Sequence, residues 1–175
     1  MEPRQVMNRV LVVDDHALLR RGIKSIVKAW PGWDIVGESG TGEEAVELAA
    51  SLRPDVILMD ISMPGMGGLE ATKIICKRYS QAKVVLLTLH DSLECVRTAF
   101  QAGARGYLLK SDTEAEMMRA LETVAGNGIY ASPRLDQARL LQLFGELGLN
   151  AGQTLHGPDA NTGNGVAAQS ISPNA

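Results

Sequence analysis

Short apolar runs recur along the chain, separated by longer stretches in which apolar positions return every three or four residues. The runs are RVLVV (9–13), WDIVGES (33–39), DVILM (55–59), KVVLLT (83–88) and GYLL (106–109). Most are continuously apolar, not alternating, which predicts strands with both faces covered. The intervening stretches read as helices. In the first, Leu19, Ile23, Ile26 and Trp30 fall at i, i+4, i+7 and i+11 and form one apolar face, with Arg20, Lys24 and Lys28 as a basic stripe elsewhere. Further helices are predicted near 42–52, 67–79, 91–102 and 113–125, with Asp91 or Ser92 capping the fourth and Asp112 or Thr113 the fifth. Five strand–helix repeats predict an α/β fold, a doubly wound parallel sheet with helices on both faces. The periodicity leaves Rossmann-like and flavodoxin-like strand orders open. In either, ligands gather at the carboxyl ends of the strands where the strand order reverses.

The repeat stops near GNGIYASP (126–133). In RLDQARLLQLFGELGLN (134–150), Leu140, Leu141, Phe144 and Leu147 form a short apolar helical stripe, weakened by Gly145 and Gly148 at about 1 kcal/mol each. From Ala151 onward the chain has no aromatic residue and a single acid, Asp159, so it is expected to be disordered. The organisation expected is a folded domain over 8–130, a linker with a possible short amphipathic helix over 131–150, and a low-complexity tail over 151–175.

A length of 175 residues suits one domain, and 4% aromatic content means aliphatic side chains must fill its core. A formal net charge of −3 argues against a dedicated nucleic-acid binder. Cys76 and Cys95 lack metal-ligand spacing, which points to a reduced intracellular protein. No secretory signal or bilayer-length apolar run is present, so a soluble cytoplasmic protein without membrane contact is expected.

The polar residues at the strand ends change this picture. Asp14 and Asp15 follow the first strand, Asp60 ends the third, Thr88 the fourth, and Lys110 follows the fifth. If the first and third strands are neighbours, three carboxylates converge and repel unless a cation joins them. A hard divalent ion such as Mg²⁺ suits such oxygens. A hydroxyl and an ammonium suit the oxygens of a phosphoryl group. Any one of these acids alone is as well read as a helix cap, Lys110 as a solvated lysine and Tyr107 as core filler. Together they describe a phosphoryl-transfer site centred on Asp60.

With these residues in view, the chain resembles the receiver domain of bacterial two-component response regulators, on the NarL/LuxR-type branch. The resemblance rests on VLVVDDHALLRRGI, PDVILMDISMPGMGGLEAT, VVLLTLHDS, AGARGYLLKSD and GNGIYASP, and covers residues 8 to 133. It implies a flavodoxin-like (βα)5 fold with strand order 2-1-3-4-5. It also implies Asp60 as phospho-acceptor from a sensor histidine kinase, and Mg²⁺ (or Mn²⁺) held by Asp14, Asp15, Asp60 and the Ser62 backbone carbonyl. Thr88 and Lys110 would contact the phosphoryl group, Thr88 and Tyr107 would form the switch, and Pro64 and Gly68 would shape the turn after the acceptor. In this picture Thr88 moves inward and Tyr107 then turns in, altering the surface of helix four, strand five and helix five. Homodimerisation on phosphorylation is expected, with Ser62 and His90 setting the lifetime of the phosphate and the first helix serving as the kinase-docking face.

The sequence departs from that family at Ser111, where many receivers have proline, and at Leu89, where many have a smaller residue. After Pro133 no stretch resembles the usual helix-turn-helix output domain, so direct DNA binding by this chain is not expected. Alternatives are an unphosphorylated scaffold, an Asp-nucleophile phosphatase and a flavin-binding module. The phosphatase chemistry prefers an acid where Ser62 stands, and a flavin phosphate would meet Asp14 and Asp15. The expectation is a regulatory domain whose phosphoryl chemistry is self-directed, not an enzyme acting on external substrates.

Overall fold

The computed structural model describes residues 7–149. Six strands, β1 (Asn8–Val13), β2 (Trp33–Ser39), β3 (Val56–Asp60), β4 (Val84–Thr88), β5 (Gly106–Leu109) and β6 (Tyr130–Ala131), form one sheet in the order β2-β1-β3-β4-β5-β6. All pairings are parallel. Between and after them lie α1 (Ala17–Ala29), α2 (Gly42–Leu52), α3 (Gly68–Arg78), α4 (Leu93–Gln101), α5 (Glu114–Ala125) and α6 (Gln137–Glu146). The expected order 2-1-3-4-5 holds, and β6 extends it by one short strand. Two residues carry too little periodicity for β6 to be recognised in GNGIYASP.

Strand side chains alternate between two cores, as the pleat requires. Leu11, Val13, Ile57, Met59, Val84, Leu86, Tyr107 and Leu109 face the side of α2, α3, α4 and α6. Val10, Val12, Val56, Leu58, Val85, Leu87 and Leu108 face α1 and α5. Covering both faces explains why the strands read as unbroken apolar runs. Most of these residues are fully buried, each contributing about 1.5–3 kcal/mol of transfer free energy.

The caps come from local sequence. The side chains of Thr41, Ser92, Thr113 and Asp136 accept from Glu44 N, Cys95 N, Glu116 N and Arg139 N. On α1 the buried residues are Ile23 and Val27, while Trp30 is 38% exposed as its C-cap residue. Leu19 and Ile26 pack against the same core, so the predicted face holds except at Trp30, with Val27 added to it. In α6, Leu140, Leu143 and Phe144 are buried and Leu141 is 50% exposed, so Leu143 replaces Leu141 in the inward stripe.

Core packing continues past residue 130. Ala131, Leu135, Leu140, Leu143 and Phe144 belong to the same cluster as β4 and β5. The segment expected to be a linker thus packs as part of the domain. The tail over 151–175 lies outside the described residues. Among the described residues no helix is long and apolar enough to cross a membrane.

Candidate functional site

The strand order reverses between β1 and β3. Pairing of Val13 with Met59 places Asp14 and Asp60 side by side at the next step. Asp14 and Asp60 are almost fully buried, at 0% and 1% exposure. Gly68 lets the chain turn directly over the acceptor: a Cβ there would lie 1.9 Å from the Asp60 carbonyl oxygen. Gly65, with φ at +74°, completes that turn, and Glu43 of α2 accepts from Met66 N at 3.0 Å to hold the loop.

Lys110 reaches into this point from the end of β5. Its Nζ donates to Asp14 Oδ2 at 3.0 Å and lies 3.0 Å from Asp60 Oδ2. The second contact lacks hydrogen-bond alignment, leaving Asp60 Oδ2 buried without a hydrogen-bond partner, as is Asp15 Oδ1. Ser62 N donates to the other Asp60 oxygen at 3.2 Å. Burial pushes the Asp60 carboxyl above its ordinary pKa, against the opposing pull of Lys110 and the Ser62 N–H, and the Asp14 charge pushes it further up. Burial also works against the Lys110 charge, but Asp60 and Asp14 outweigh it and hold the ammonium pKa above its usual value.

Asp14, Asp15, Asp60 and His16 each place one ligand atom within 4.8 Å of the others. Three carboxylates against the single Lys110 ammonium leave two negative charges uncompensated, which one divalent cation would match. Hard oxygen donors, with Asp60 Oδ2 and Asp15 Oδ1 buried and met only by the nitrogens of Lys110 and His16, fit such an ion.

Thr88 and Tyr107 belong to the other side of the sheet. By strand parity they point toward α4, whereas Asp14, Asp60 and Lys110 continue the α1/α5 side. Thr88 Oγ1 accepts from His90 N at 3.1 Å, and the Tyr107 hydroxyl donates to the His90 carbonyl at 2.8 Å. Tyr107 is 0% exposed, so its ring is already turned in, unlike the inward swing anticipated from sequence. Burial raises the Tyr107 hydroxyl pKa well beyond the usual phenol value.

Three residues make contacts that spacing did not assign them. Arg20, read from spacing only as part of a basic stripe, donates through Nη1 to the Asp14 carbonyl at 2.6 Å. Asp112, a candidate cap, instead accepts from Leu109 N at 2.9 Å and from Ser132 Oγ at 2.9 Å, tying β5 to the chain after β6. His16 turns its ring onto the two acids that precede it, with Nδ1 at 3.2 Å from Asp14 Oδ1 and 2.9 Å from Asp15 Oδ1. Only the DDH string itself hinted at this last contact.

Residues 10–122 match the response regulator receiver domain family. The response regulator GacA of Pseudomonas viridiflava is 42% identical over 138 residues, covering 79% of this chain and 64% of that protein. The chain therefore spans less than two thirds of that relative's length. A LuxR-family two-component response regulator from Aurantimonas sp. SI85-9A1 superposes with a TM-score of 0.71 at 32% identity, covering 81% of this chain and 97% of that one. The receiver domain of a NarL-type regulator from Mycobacterium tuberculosis gives 0.65 at 36% identity, covering 69% of this chain and 97% of that one. Sheet order, clustered acids at the strand switch point and these likenesses agree: the chain belongs to the response regulator receiver domain family, on its NarL/LuxR-type branch.

Proposed function

We propose that Asp60 is the phospho-acceptor of a two-component pathway, taking its phosphoryl group from a phosphohistidine on a sensor histidine kinase in the cytoplasm. The observation that carries this reading is the position of Lys110 Nζ, 3.0 Å from both Asp14 and the nearly fully buried Asp60. An Asp60 carboxylate oxygen attacks phosphorus, the new O–P bond forms as the donor P–N bond breaks, and the departing imidazole keeps the electron pair and takes a proton from solvent. Lys110 is held by Asp14 so that its ammonium meets the developing charge on the phosphoryl oxygens. The Thr88 hydroxyl donates to another of those oxygens. Asp14, Asp15, Asp60 and the Ser62 carbonyl would hold Mg²⁺ or Mn²⁺, which when bound would supply the remaining neutralisation.

The switch follows from the hydrogen bonds of Thr88. To donate to a phosphoryl oxygen, Thr88 must shift, and its hydroxyl also accepts from His90 N. Tyr107 holds the His90 carbonyl, so the loop between Thr88 and Ser92 moves as one unit and carries the start of α4 with it. In this account the moving part is the loop, not the tyrosine ring. Ser62 and His90, both exposed at this rim, govern water access and so the lifetime of the phosphate. The altered α4–β5–α5 surface, or α1 with α5, pairs two copies.

Incubation with Mg²⁺ and phosphoramidate, followed by intact-protein mass measurement, tests the reading. One phosphate-sized adduct is expected on the wild type, absent with chelator and absent from Asp60→Asn. A folded wild type that takes no phosphoryl group under these conditions would favour an interaction scaffold instead.

A further inference from the structure

We infer that Asp112 is a positioning residue for phosphoryl acceptance: its buried carboxylate fixes the turn that carries Lys110 and ties that turn to the chain leaving β6. This rests on the reading of Asp60 as phospho-acceptor with Lys110 meeting the phosphoryl oxygens.

The carboxylate is not spent on the helix it precedes. Thr113, one residue later, caps α5 by accepting from Glu116 N. Asp112 turns back instead. Its Oδ2 accepts from Leu109 N at 2.9 Å, and its own N–H donates to the Leu109 carbonyl at 2.9 Å. Lys110 lies inside this doubly closed turn, and its backbone N–H donates to the Thr88 carbonyl at 2.7 Å. The lysine backbone is thereby held from β4 on one side and by Asp112 on the other. The second carboxylate oxygen, Oδ1, accepts from Ser132 Oγ at 2.9 Å and lies 3.4 Å from Arg134 Nε. Ser132 is fully buried, and its N–H donates to the Tyr107 carbonyl at 2.8 Å, so it is fixed as a continuation of β6. The Asp112 side chain is only 2% exposed. A carboxylate taken that far from water is costly unless its hydrogen bonds are made, and here both oxygens make them.

The consequence falls on the aim of Lys110. When the phosphoryl group arrives, Nζ must exchange its contacts with Asp14 and Asp60 for an oxygen on phosphorus. Its four-carbon stem is flexible, so the backbone anchor decides where the ammonium can reach. A displacement of about 1 Å at a reacting group can cost up to about a hundredfold in rate. Asp14, Asp15 and Asp60 are carried by β1 and β3, on other turns than the one Asp112 closes. Loss of the Asp112 anchor therefore slows phosphoryl acceptance and leaves the demand for Mg²⁺ in place. A general loosening of the domain would change both.

The test measures the rate at which the full chain gains a phosphate-sized mass from phosphoramidate, and the Mg²⁺ concentration giving half of the maximal rate. Wild type, Asp112→Ala, Asp112→Asn and Ser132→Ala are compared. Asp112→Ala is expected to slow acceptance by about tenfold or more, with the Mg²⁺ midpoint moving less than about threefold. Asp112→Asn keeps an acceptor for Leu109 N and should stay within about threefold of wild type. Ser132→Ala removes the donor on Oδ1 and should slow acceptance to a rate between those of wild type and Asp112→Ala. The inference is overturned if Asp112→Ala accepts at the wild-type rate, if its Mg²⁺ midpoint rises in proportion to the loss of rate, or if Asp112→Asn is as slow as Asp112→Ala. Should Asp112→Ala fail to fold, a wild-type rate in Ser132→Ala overturns it equally. A wild type that takes no phosphoryl group sinks the Asp60 reading and this inference together, whereas a wild type that accepts it, with Asp112→Ala equally fast, sinks this inference alone.

Discussion

Asp60 sits between an ammonium that favours its charge and a burial that opposes it more strongly. Because its pKa is raised, the protonated form favours the folded state. The corresponding stability is complete in acid and is lost as pH climbs from the ordinary carboxylate value of about 4 through the raised one. Asp60→Asn should therefore stabilise the metal-free protein at neutral pH, with the gain shrinking as pH falls toward the ordinary carboxylate value. Thermal melts in chelator across that range check it. A mutant less stable than wild type at neutral pH would mean that the Lys110 attraction dominates. Gly68 makes a second residue-level prediction. A methyl group there meets the Asp60 carbonyl, so Gly68→Ala should cost about 1–3 kcal/mol in urea denaturation and slow phosphoryl acceptance by displacing the β3–α3 turn.

At the scale of elements, β6 and α6 form a sixth strand–helix unit outside the five recognised from periodicity. Phe144 of α6 packs edge-on against Phe100 of α4, ring centroids 5.0 Å apart, and Arg97 pairs with Glu146 at 2.7 Å. Phe144→Ala should destabilise the whole domain by about 3–5 kcal/mol. Leu141→Ala, half exposed on the same helix, should stay within about 0.5 kcal/mol. Equal small effects from both would mean that α6 is a detachable linker. Its inward face was only half legible: Leu140 and Phe144 follow the spacing, but the choice of Leu143 over Leu141 depends on how Leu135 and Asp136 bring the chain around from β6. The helices at Ser92 and Thr113 were legible to one of two adjacent cap candidates each, because side-chain capping is a local interaction. Arg20 was not, because its partner, the Asp14 carbonyl, lies across the β1–α1 turn and leaves no periodic trace.

For the whole molecule, a parallel sheet whose order reverses between β1 and β3 brings three acids together that are separated by as many as 46 positions in the chain. Strand-end chemistry was readable because strands end where apolar runs end, so Asp14, Asp60 and Lys110 could be placed before their contacts were known. What could not be read was the division between the two sheet faces: the ion-paired cluster on the α1/α5 side, and Thr88 with Tyr107 on the α4 side. That division depends on the exact parity at which each strand stops. It gives the account its mechanism, since a phosphoryl group on Asp60 must reach across the sheet edge to Thr88 to move α4. The most direct measurement is to phosphorylate the wild type with Mg²⁺ and phosphoramidate, reduce the acyl phosphate with borohydride, and map the modified residue by peptide mass. The account predicts reduction product at position 60 alone, only in samples that contained Mg²⁺. Modification at Asp14, Asp15 or Thr88, or modification indifferent to the metal, would contradict it.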